Sequence, residues 1–404
     1  MLKKSISLQM ATFLSMIFAL SLGRAEDFAA AGDLLTDYET EWEISIDEPP
    51  TYALAGNDFF GVYNSYTSDE EMSIYKHYDN SGQLLWSSKM LGFSPLLVAM
   101  SESGSRVLLQ HERKPITDYL RSTLEVFDEN GRKLFTCPVG QGFLSSPNGA
   151  YFYSVWGSDD PAVTPLTVLD SLGFKRKMPS TFWTDARALD DSLLVCVNFS
   201  KLAIFNVFAF PVREISIEDL TRSGETGFLV GCSGERGRIA LWNDHEVHIF
   251  DSELESLGDF TRESYIQGVK FSPDDDLIAY REMRLPSGSA RRGQDYVLLA
   301  GYDGYIWAEA TIDEPPGQIA GYGEAAYEWT RTDMSFSNGC VVWRFMSSPR
   351  YADKLYSGRS LVMLKEVTVF NSATIESRIF PLHDGSIIEI GESQAKKWTK
   401  SRGR

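Results

Sequence analysis

The stretch VKFSPDDDLIAY, residues 269–280, contains the pattern that decides the fold: an apolar strand, a tight polar turn and a second apolar strand. Pro presets the backbone φ at such a turn, while Asn and Gly tolerate the positive φ that closes it. The pattern recurs as AMSESGSRVLL (99–109), LSSPNGAYFY (144–153) and MSFSNGCVVW (334–343), with weaker copies centred on Asp58, Asp191 and Gly237. The chain therefore repeats one type of hairpin along its length.

A second pattern is a strand that ends in Asp-x-x-Gly and is followed by a strand that often contains an aromatic residue. Its best copies are IYKHYDNSGQLLW (74–86) and LEVFDENGRKLF (124–135), and other copies are LTVLDSLG (166–173) and YDGYIW (302–307). Degenerate copies are centred on Asn206, Asp251 and Asn371. Each copy indicates a further hairpin.

The two turn types alternate in strict order. Turns of the first type fall at positions 58, 104, 149, 191, 237, 276 and 339, and turns of the second type at 79, 128, 170, 206, 251, 303 and 371. Each unit of two turns has four strands and repeats about every 47 residues, which is typical of propeller blades. The sequence therefore predicts an all-β fold, a seven-bladed β-propeller of four-stranded antiparallel blades.

Two further strands lie outside the seven units and bear on how the ring closes. They are Trp42–Ile46 near the N-terminus and Ser386–Ile390 near the C-terminus. Pairing between strands from the two chain ends removes the exposed edges of a ring, so either strand could complete the last blade. Eight blades, the last one partial, are the alternative count.

The turn patterns resemble those of known bacterial propeller families. Asp79-x-x-Gly82-x-x-x-Trp86 resembles the repeat of quinoprotein-like propellers. Phe271-Ser272-Pro273-Asp274, followed by Ile278-Ala279-Tyr280, resembles the repeat of WD-type and Tol-system propellers. The resemblance covers most of residues 50–380 and implies the architecture, and it leaves the function open.

The N-terminus has the features of a secretory signal peptide. Lys3 and Lys4 precede an apolar stretch at 10–22, and Gly23-Arg24-Ala25 supplies small residues for cleavage. We predict a signal peptide at 1–25, a linker at 26–40, the propeller at 41–392 and a basic tail at 393–404. This predicts an exported protein, in the periplasm or outside the cell, with no membrane-spanning segment after cleavage.

The charge restricts the classes of partner. Removal of three positive residues with the signal peptide takes the net charge from −18 to −21. Such a chain repels nucleic acid and anionic lipid unless a local basic patch compensates. We therefore expect a protein, peptide or glycan partner in the cell envelope, and no nucleic acid.

The strands of a blade are labelled A to D from the axis outwards. The first turn type joins A to B and the second joins C to D, so both lie on one rim of the ring. The B–C and D–A connections lie on the other rim. The connections on this second rim contain Arg, Lys, Tyr and Trp, the residue types that anchor interfaces. The predicted binding rim comprises Arg113, Lys114, Tyr119, Arg121, Arg284, Arg291, Arg292, Tyr322, Tyr327, Trp329, Arg350, Tyr351, Lys354 and Tyr356. The competing interpretation is that these loops are simply polar and solvated.

Motifs of catalysis and metal binding are sparse. His245 and His248 lie three apart in a strand, so they point to opposite faces, and no metal site is predicted. The sequence has no GxSxG elbow and no GxxxxGK[ST] loop. The four cysteines form no CxxC pair. The resemblance also implies quinoprotein dehydrogenases as an enzyme class. Members of that family are generally longer and have eight blades, whereas seven units are counted in this chain. Many also have an adjacent Cys pair that this chain lacks.

The sequence thus favours a non-catalytic binding or scaffold protein without a cofactor and with no catalytic residues. Two alternatives remain open. One is a propeller hydrolase or lyase with acidic residues in the central channel. The other is a structural subunit of an envelope assembly, similar to the outer-membrane assembly propellers.

Overall fold

The structure of this chain is a computed structural model. It describes residues 38–47, 50, 52–65, 72–91, 97–112, 122–139, 142–154, 166–178, 183–221, 227–272, 276–284, 294–312, 331–337, 340–347, 350–357, 361, 363–370, 378–382, 384–391 and 393–401. All regular secondary structure within these residues is β-strand.

Strand β1 (Tyr38–Ser45) precedes seven sheets of four consecutive strands, paired antiparallel in chain order. Blade 1 has β2 (Tyr52–Ala55), β3 (Phe59–Ser65), β4 (Met72–Asp79) and β5 (Leu84–Leu91). Blade 2 has β6 (Leu97–Met100), β7 (Arg106–Glu112), β8 (Ser122–Asp128) and β9 (Lys133–Val139). Blade 3 has β10 (Phe143–Ser145), β11 (Tyr151–Ser154), β12 (Thr167–Asp170) and β13 (Lys175–Lys177). Blade 4 has β14 (Asp185–Ala188), β15 (Leu193–Val197), β16 (Lys201–Asn206) and β17 (Pro211–Ser216).

The remaining consecutive strands form three more blades. Blade 5 has β18 (Leu229–Ser233), β19 (Arg238–Trp242), β20 (Glu246–Asp251) and β21 (Ser256–Thr261). Blade 6 has β22 (Tyr265–Phe271), β23 (Leu277–Arg284), β24 (Gln294–Gly301) and β25 (Ile306–Ile312). Blade 7 has β26 (Arg331–Ser337), β27 (Cys340–Ser347), β28 (Arg350–Ser357) and β29 (Met363–Phe370). The predicted all-β propeller of seven four-stranded antiparallel units is confirmed.

An eighth four-stranded sheet, the closing blade, combines both ends of the chain. Its strands are β30 (Arg378–Pro381), β31 (Ile387–Ile390), β32 (Gln394–Lys400) and, outermost, β1. The register pairs Tyr38 with Lys400 and Ser45 with Gln394. Both strands that lie outside the seven units of the sequence belong to this sheet. The described residues thus form eight four-stranded sheets, which are the seven predicted units and the closing blade.

The hydrophobic core is divided among the junctions between neighbouring blades. Each of eight buried clusters joins residues of adjacent sheets. The cluster of Phe60, Val62 and Ile388, for example, joins blade 1 to the closing blade. Strands such as β15 are buried on both faces because each sheet packs against two neighbours.

Two strands of the closing blade extend beyond residues 41–392, the bounds expected for the propeller. The propeller begins at Tyr38, within the predicted linker, and its last strand reaches Lys400. Lys396 and Lys397 therefore belong to a strand, where the sequence suggested a basic tail. Their side chains form ion pairs with Glu43 at 3.4 Å and Glu41 at 3.0 Å on β1.

One predicted turn is misplaced. The sequence placed the second turn of the seventh unit at Asn371, whereas β28 and β29 are joined at 358–362. Leu361 takes a φ of +50° there, the same left-handed region that Gly82 and Gly131 occupy in their C–D turns. Because Leu replaces the usual Gly, the local sequence does not reveal this turn.

Candidate functional site

The C–D turns of blades 1 to 5 share one hydrogen-bonding scheme that fixes their shape. In blade 1 the Oδ1 of Asp79 accepts hydrogen bonds from the amides of Ser81 and Gln83, both at 2.9 Å. Asp128 and Asp170 accept equivalent pairs in the next two blades. Asn206 of blade 4 does the same with its amide oxygen. The Asp-x-x-Gly repeat is therefore explained by turn geometry.

Aromatic side chains of the outer strands lock several blades to the next one. Trp86 lies against Gly131 of the following C–D turn, and its Nε1 donates to the carbonyl of Glu129 at 3.1 Å. Trp42 of β1 makes the same contacts with Gly82 and the carbonyl of Asn80, at 2.9 Å. A methyl group on Gly131 would lie 2.6 Å from Trp86 Cγ. Glycine is needed for this close approach as well as for positive φ.

Other junctions use the same contact or replace it. Phe135 packs on Gly173 of blade 3, and Phe260 packs on Gly304 of blade 6. Blade 3, however, has Lys177 four residues after its turn glycine, where blade 1 has Trp86. The turn residue of blade 4 that faces this junction is Ala209, with a φ of +63°. Blade 3 thus has a lysine at the position that the locking aromatic occupies in blades 1 and 2.

A cluster of exposed apolar side chains lies at this junction, on the tips of two C–D turns. Leu172 and Phe174 belong to blade 3, Phe208 and Phe210 belong to blade 4, and each is more than half exposed. The guanidinium of Arg176 lies 5.0 Å from the ring centroid of Phe208 and joins the two turns. We call these four apolar residues, with Lys175, Arg176 and Lys177, the blade 3–4 corner.

A second aromatic surface is concave and lies at the C–D turn of blade 6. Tyr305 and Trp307 are each 65% exposed and meet edge to face, with centroids 5.7 Å apart. They border a cavity of about 720 Å³, which we call the blade 6 cleft. Its lining residues are Leu257, Asp276, Leu277, Leu299, Gly301, Tyr302, Asp303, Tyr305 and Trp307.

The charged side chains that line the blade 6 cleft are acidic. Asp276 pairs with Arg236 of blade 5 at 2.7 Å, and Asp303 accepts a hydrogen bond from the amide of Tyr305 at 3.0 Å. Burial, reinforced by the negative charge of Asp276, raises the pKa of Tyr302, so its phenol stays neutral. The cleft therefore combines exposed ring surface with carboxylates, a combination that suits a cationic or amphipathic ligand.

A further groove of about 350 Å³ lies on the same rim, among the A–B turns of blades 1 to 5. Its acidic lining residues are Asp58, Glu102, Asp190, Asp191 and Glu235. Burial alone would raise the pKa of Asp191, but hydrogen bonds from Asn148 and Ser146 outweigh it and lower that pKa. Asp191 is therefore ionised at neutral pH and holds the turns of blades 3 and 4 together.

The predicted binding rim is only partly within the described residues. Arg113, Lys114, Tyr119, Arg121, Arg291, Arg292, Tyr322, Tyr327 and Trp329 lie outside them, so their role stays a prediction. The signal peptide also lies outside the described residues.

Arg284 is described, and its own blade engages it fully. Its guanidinium pairs with Glu282 and Glu309, both at 2.6 Å, and lies 4.1 Å from the ring centroid of Tyr296. These carboxylates raise its pKa further above the usual range. The arrangement indicates a structural role for Arg284.

The third predicted loop is a strand. Arg350, Tyr351, Lys354 and Tyr356 all lie on β28, paired with β27 and β29, and Tyr356 is buried at the junction of blades 6 and 7. The misplaced turn at Asn371 caused this error, because it extended the apparent B–C loop across the third strand of the blade.

Two histidines of blade 5 lie beside oxygen atoms of the same chain. His248 faces Glu246 at 3.3 Å, and His245 Nδ1 lies 3.1 Å from the carbonyl of Ser264. Among the described residues, no three His, Cys, Asp or Glu side chains meet in a way that could hold a metal ion. Cys137, Cys196 and Cys232 are free thiols, and burial raises the pKa of Cys196 well above its usual value.

Comparison with solved structures supports the fold. The C-terminal WD40 domain of Sif2 superposes with a TM-score of 0.54 at 10% identity, covering 91% of this chain and 99% of that one. BamB from Moraxella catarrhalis gives 0.52 at 9%, covering 90% and 99%. Sqt1 from Chaetomium thermophilum gives 0.53 at 12%, covering 91% and 99%. The chain is similar to these β-propellers in fold.

At such identities the similarity concerns architecture alone. No protein-family model matches the chain, and no curated protein matches its sequence. No helix in the described part of the chain is long and apolar enough to span a membrane. The function must therefore be argued from the surfaces of the propeller.

Proposed function

We propose that this protein is an exported, non-catalytic binding propeller that captures a basic segment of a partner protein in the blade 6 cleft. The observation behind this proposal is the pair of exposed rings, Tyr305 and Trp307, beside a cavity of about 720 Å³. Exposed Tyr and Trp at a concave site are the residues that most often anchor interfaces. The rim used is that of the A–B and C–D turns, opposite to the rim chosen from the sequence.

Charge complementarity favours a basic partner segment. Asp303 lies in the cleft beside the ion pair of Asp276 with Arg236, and the acidic A–B turn groove lies on the same rim. The chain as a whole has a net charge of −18. Acidic groups on one face raise the association rate of a cationic partner, and an Arg or Lys above the Trp307 ring gains a cation–π contact.

A defined experiment tests this proposal. Peptides selected from a random display library on the immobilised full chain are measured by titration calorimetry against the protein and two variants. We expect enriched peptides to contain Arg or Lys next to an apolar residue and to bind Trp307→Ala at least tenfold more weakly. The matched control is Phe210→Ala, an equally exposed aromatic on the same rim, which should bind as the parent does.

The result that would overturn the proposal is equally specific. Selected peptides that bind Trp307→Ala and the parent with the same affinity, or that are acidic, would exclude the blade 6 cleft as the binding site. Melting temperatures of both variants should stay close to that of the parent, since both side chains are mostly exposed.

A further inference from the structure

We infer that the blade 3–4 corner docks the propeller on an anionic lipid bilayer. This surface is separate from the blade 6 cleft and does not depend on the function proposed for it. Its apolar residues Leu172, Phe174, Phe208 and Phe210 are among the most exposed apolar side chains in the described chain. All four lie at the tips of turns.

The shape of the corner favours a lipid surface over a folded partner. Leu172 and Phe174 on one turn and Phe208 and Phe210 on the next are at least 55% exposed, so they protrude from the rim. Protruding apolar tips can enter the region between headgroups and acyl chains, where aromatic and branched side chains are favoured. A protein partner would instead have to supply a matching concave surface.

The charges beside the tips complement an anionic membrane. Lys175 and Lys177 are exposed on the outermost strand of blade 3, and Arg176 between them is half-buried. Within the described residues none of the three forms an ion pair. Cations placed next to inserted apolar groups gain attraction from anionic headgroups while their stems stay in the interface.

Acidic groups near the corner are already engaged. Asp170 accepts hydrogen bonds from the amides of Leu172 and Phe174, at 3.0 and 2.9 Å. Glu214 pairs with Lys201, and Glu253 pairs with Arg213. Lys175, Arg176 and Lys177 outnumber the one carboxylate of Asp170, so the corner presents a local positive surface in an acidic protein.

The negative charge of the acidic A–B turn groove is partly screened at the corner. Two strand spacings separate the A–B turn of a blade from its C–D turn, about 10 Å, which slightly exceeds the Debye length of about 8 Å at physiological salt. Docking by the outer corner tilts the ring, so the groove and the blade 6 cleft stay in water.

Sedimentation with vesicles tests the inference directly. The full chain is mixed with vesicles of phosphatidylcholine containing one quarter phosphatidylglycerol, and separately with pure phosphatidylcholine. We expect binding to the anionic vesicles that weakens in high salt. Each lysine near an anionic surface contributes about fivefold, so Lys175→Gln with Lys177→Gln should weaken binding about 25-fold.

Two further variants separate the contributions. Phe174→Ser with Phe210→Ser should weaken binding to anionic vesicles by about tenfold or more for each ring removed. Leu84→Ser with Leu85→Ser is the matched control, because these exposed apolar residues lie on the outer strand of blade 1. This control should bind as the parent does.

Three outcomes would overturn the inference. They are absence of binding to anionic vesicles, equal binding to neutral vesicles, and binding that survives in both corner variants. Corner variants that lose capture of a protein, without any vesicle binding by the parent, would identify a protein interface instead. Loss of peptide binding in Trp307→Ala with unchanged vesicle binding would separate this result from the function proposed for the cleft.

Discussion

Gly131 and Gly237 provide a matched pair for testing how the blades are locked together. Both have positive φ, +77° and +59°. A methyl group at Gly131 would lie 2.6 Å from Trp86 Cγ, whereas at Gly237 the nearest atoms, those of Ser252, are 3.6 Å away. Gly237→Ala therefore introduces backbone strain alone, and Gly131→Ala introduces the same strain and also displaces the Trp86 ring.

The contacts of Trp86 give the size of the difference. Left-handed backbone costs an Ala residue about 1–2 kcal/mol, which both variants share. Displacing Trp86 also removes its hydrogen bond to the carbonyl of Glu129, about 1 kcal/mol. It disturbs the stacking with Phe127 at 5.5 Å, a contribution of about 1 kcal/mol. We expect Gly131→Ala to lower the free energy of unfolding by about 2 kcal/mol more than Gly237→Ala.

Urea unfolding of the two variants measures this difference, and a double-mutant cycle identifies its source. In a Trp86→Ala background, Gly131→Ala should cost only the backbone strain. Equal losses for Gly131→Ala and Gly237→Ala, or an unchanged loss in the Trp86→Ala background, would refute the idea that Trp86 docking stabilises the junction of blades 1 and 2.

Three other predictions concern the turns, the closing blade and acid sensitivity. Asp128→Ala should lower the urea midpoint, with a loss of about 1–2 kcal/mol in the free energy of unfolding. Asp128→Asn should be nearly neutral, because Asn206 caps the blade 4 turn in the same way. Equal losses in the two variants would contradict the capping role. The double variant Glu41→Gln with Glu43→Gln should lower the free energy of unfolding by less than about 1 kcal/mol at physiological salt, since both acids are about half exposed. Urea unfolding at low salt should show a larger loss, and a loss that does not depend on salt would contradict an ion-pair effect. Burial lowers the pKa of His77 to about 4, whereas the unfolded state has a pKa near 6.5. The unfolded state therefore takes up the proton first, and the free energy of unfolding falls as the pH drops from 6.5 towards 4. Unfolding at several pH values should show a smaller loss in His77→Phe, and an identical pH profile would exclude His77 as the cause.

The repeat architecture was readable from the sequence because its turns have strong local signals. The C–D turns of blades 1 to 3 are closed by the side chains of Asp79, Asp128 and Asp170. The positive φ that these turns require is taken by a glycine, which is visible in the sequence as Gly82, Gly131 and Gly173. Where the glycine is absent, the position of the turn was predicted from the Asp or Asn residue alone. Asn206 and Asp251 were sufficient to place turns that contain Ala209 and Leu254 at positive φ.

The errors arose where distant contacts override local signals. Leu361 takes the left-handed conformation without a preceding Asx signal, so the seventh unit was given a false loop and β28 was assigned to a rim. The Lys-rich C-terminal strand resembled a basic tail in the sequence because its partners, Glu41 and Glu43, lie near the opposite end of the chain.

The candidate surfaces were less accessible to sequence reasoning than the fold. Tyr305 and Trp307 resemble the aromatic residues that lock other blades, and only their exposure distinguishes them from Trp86. At the blade 3–4 corner one signal was present in the sequence: Lys177 occupies the position of the locking aromatic. A blade that lacks the locking aromatic of the repeat can therefore indicate a candidate binding surface.

The closing blade makes the first strand dependent on the last one synthesised. Tyr38–Ser45 leaves the ribosome before the other strands of the described residues, but its partner β32 lies roughly 360 residues downstream. A chain that stops short of β32 keeps β1 and β31 as unpaired edges, which invite aggregation and proteolysis. Ring closure thereby acts as a test of complete translation, since only a chain that reaches its final strand can hide both edges.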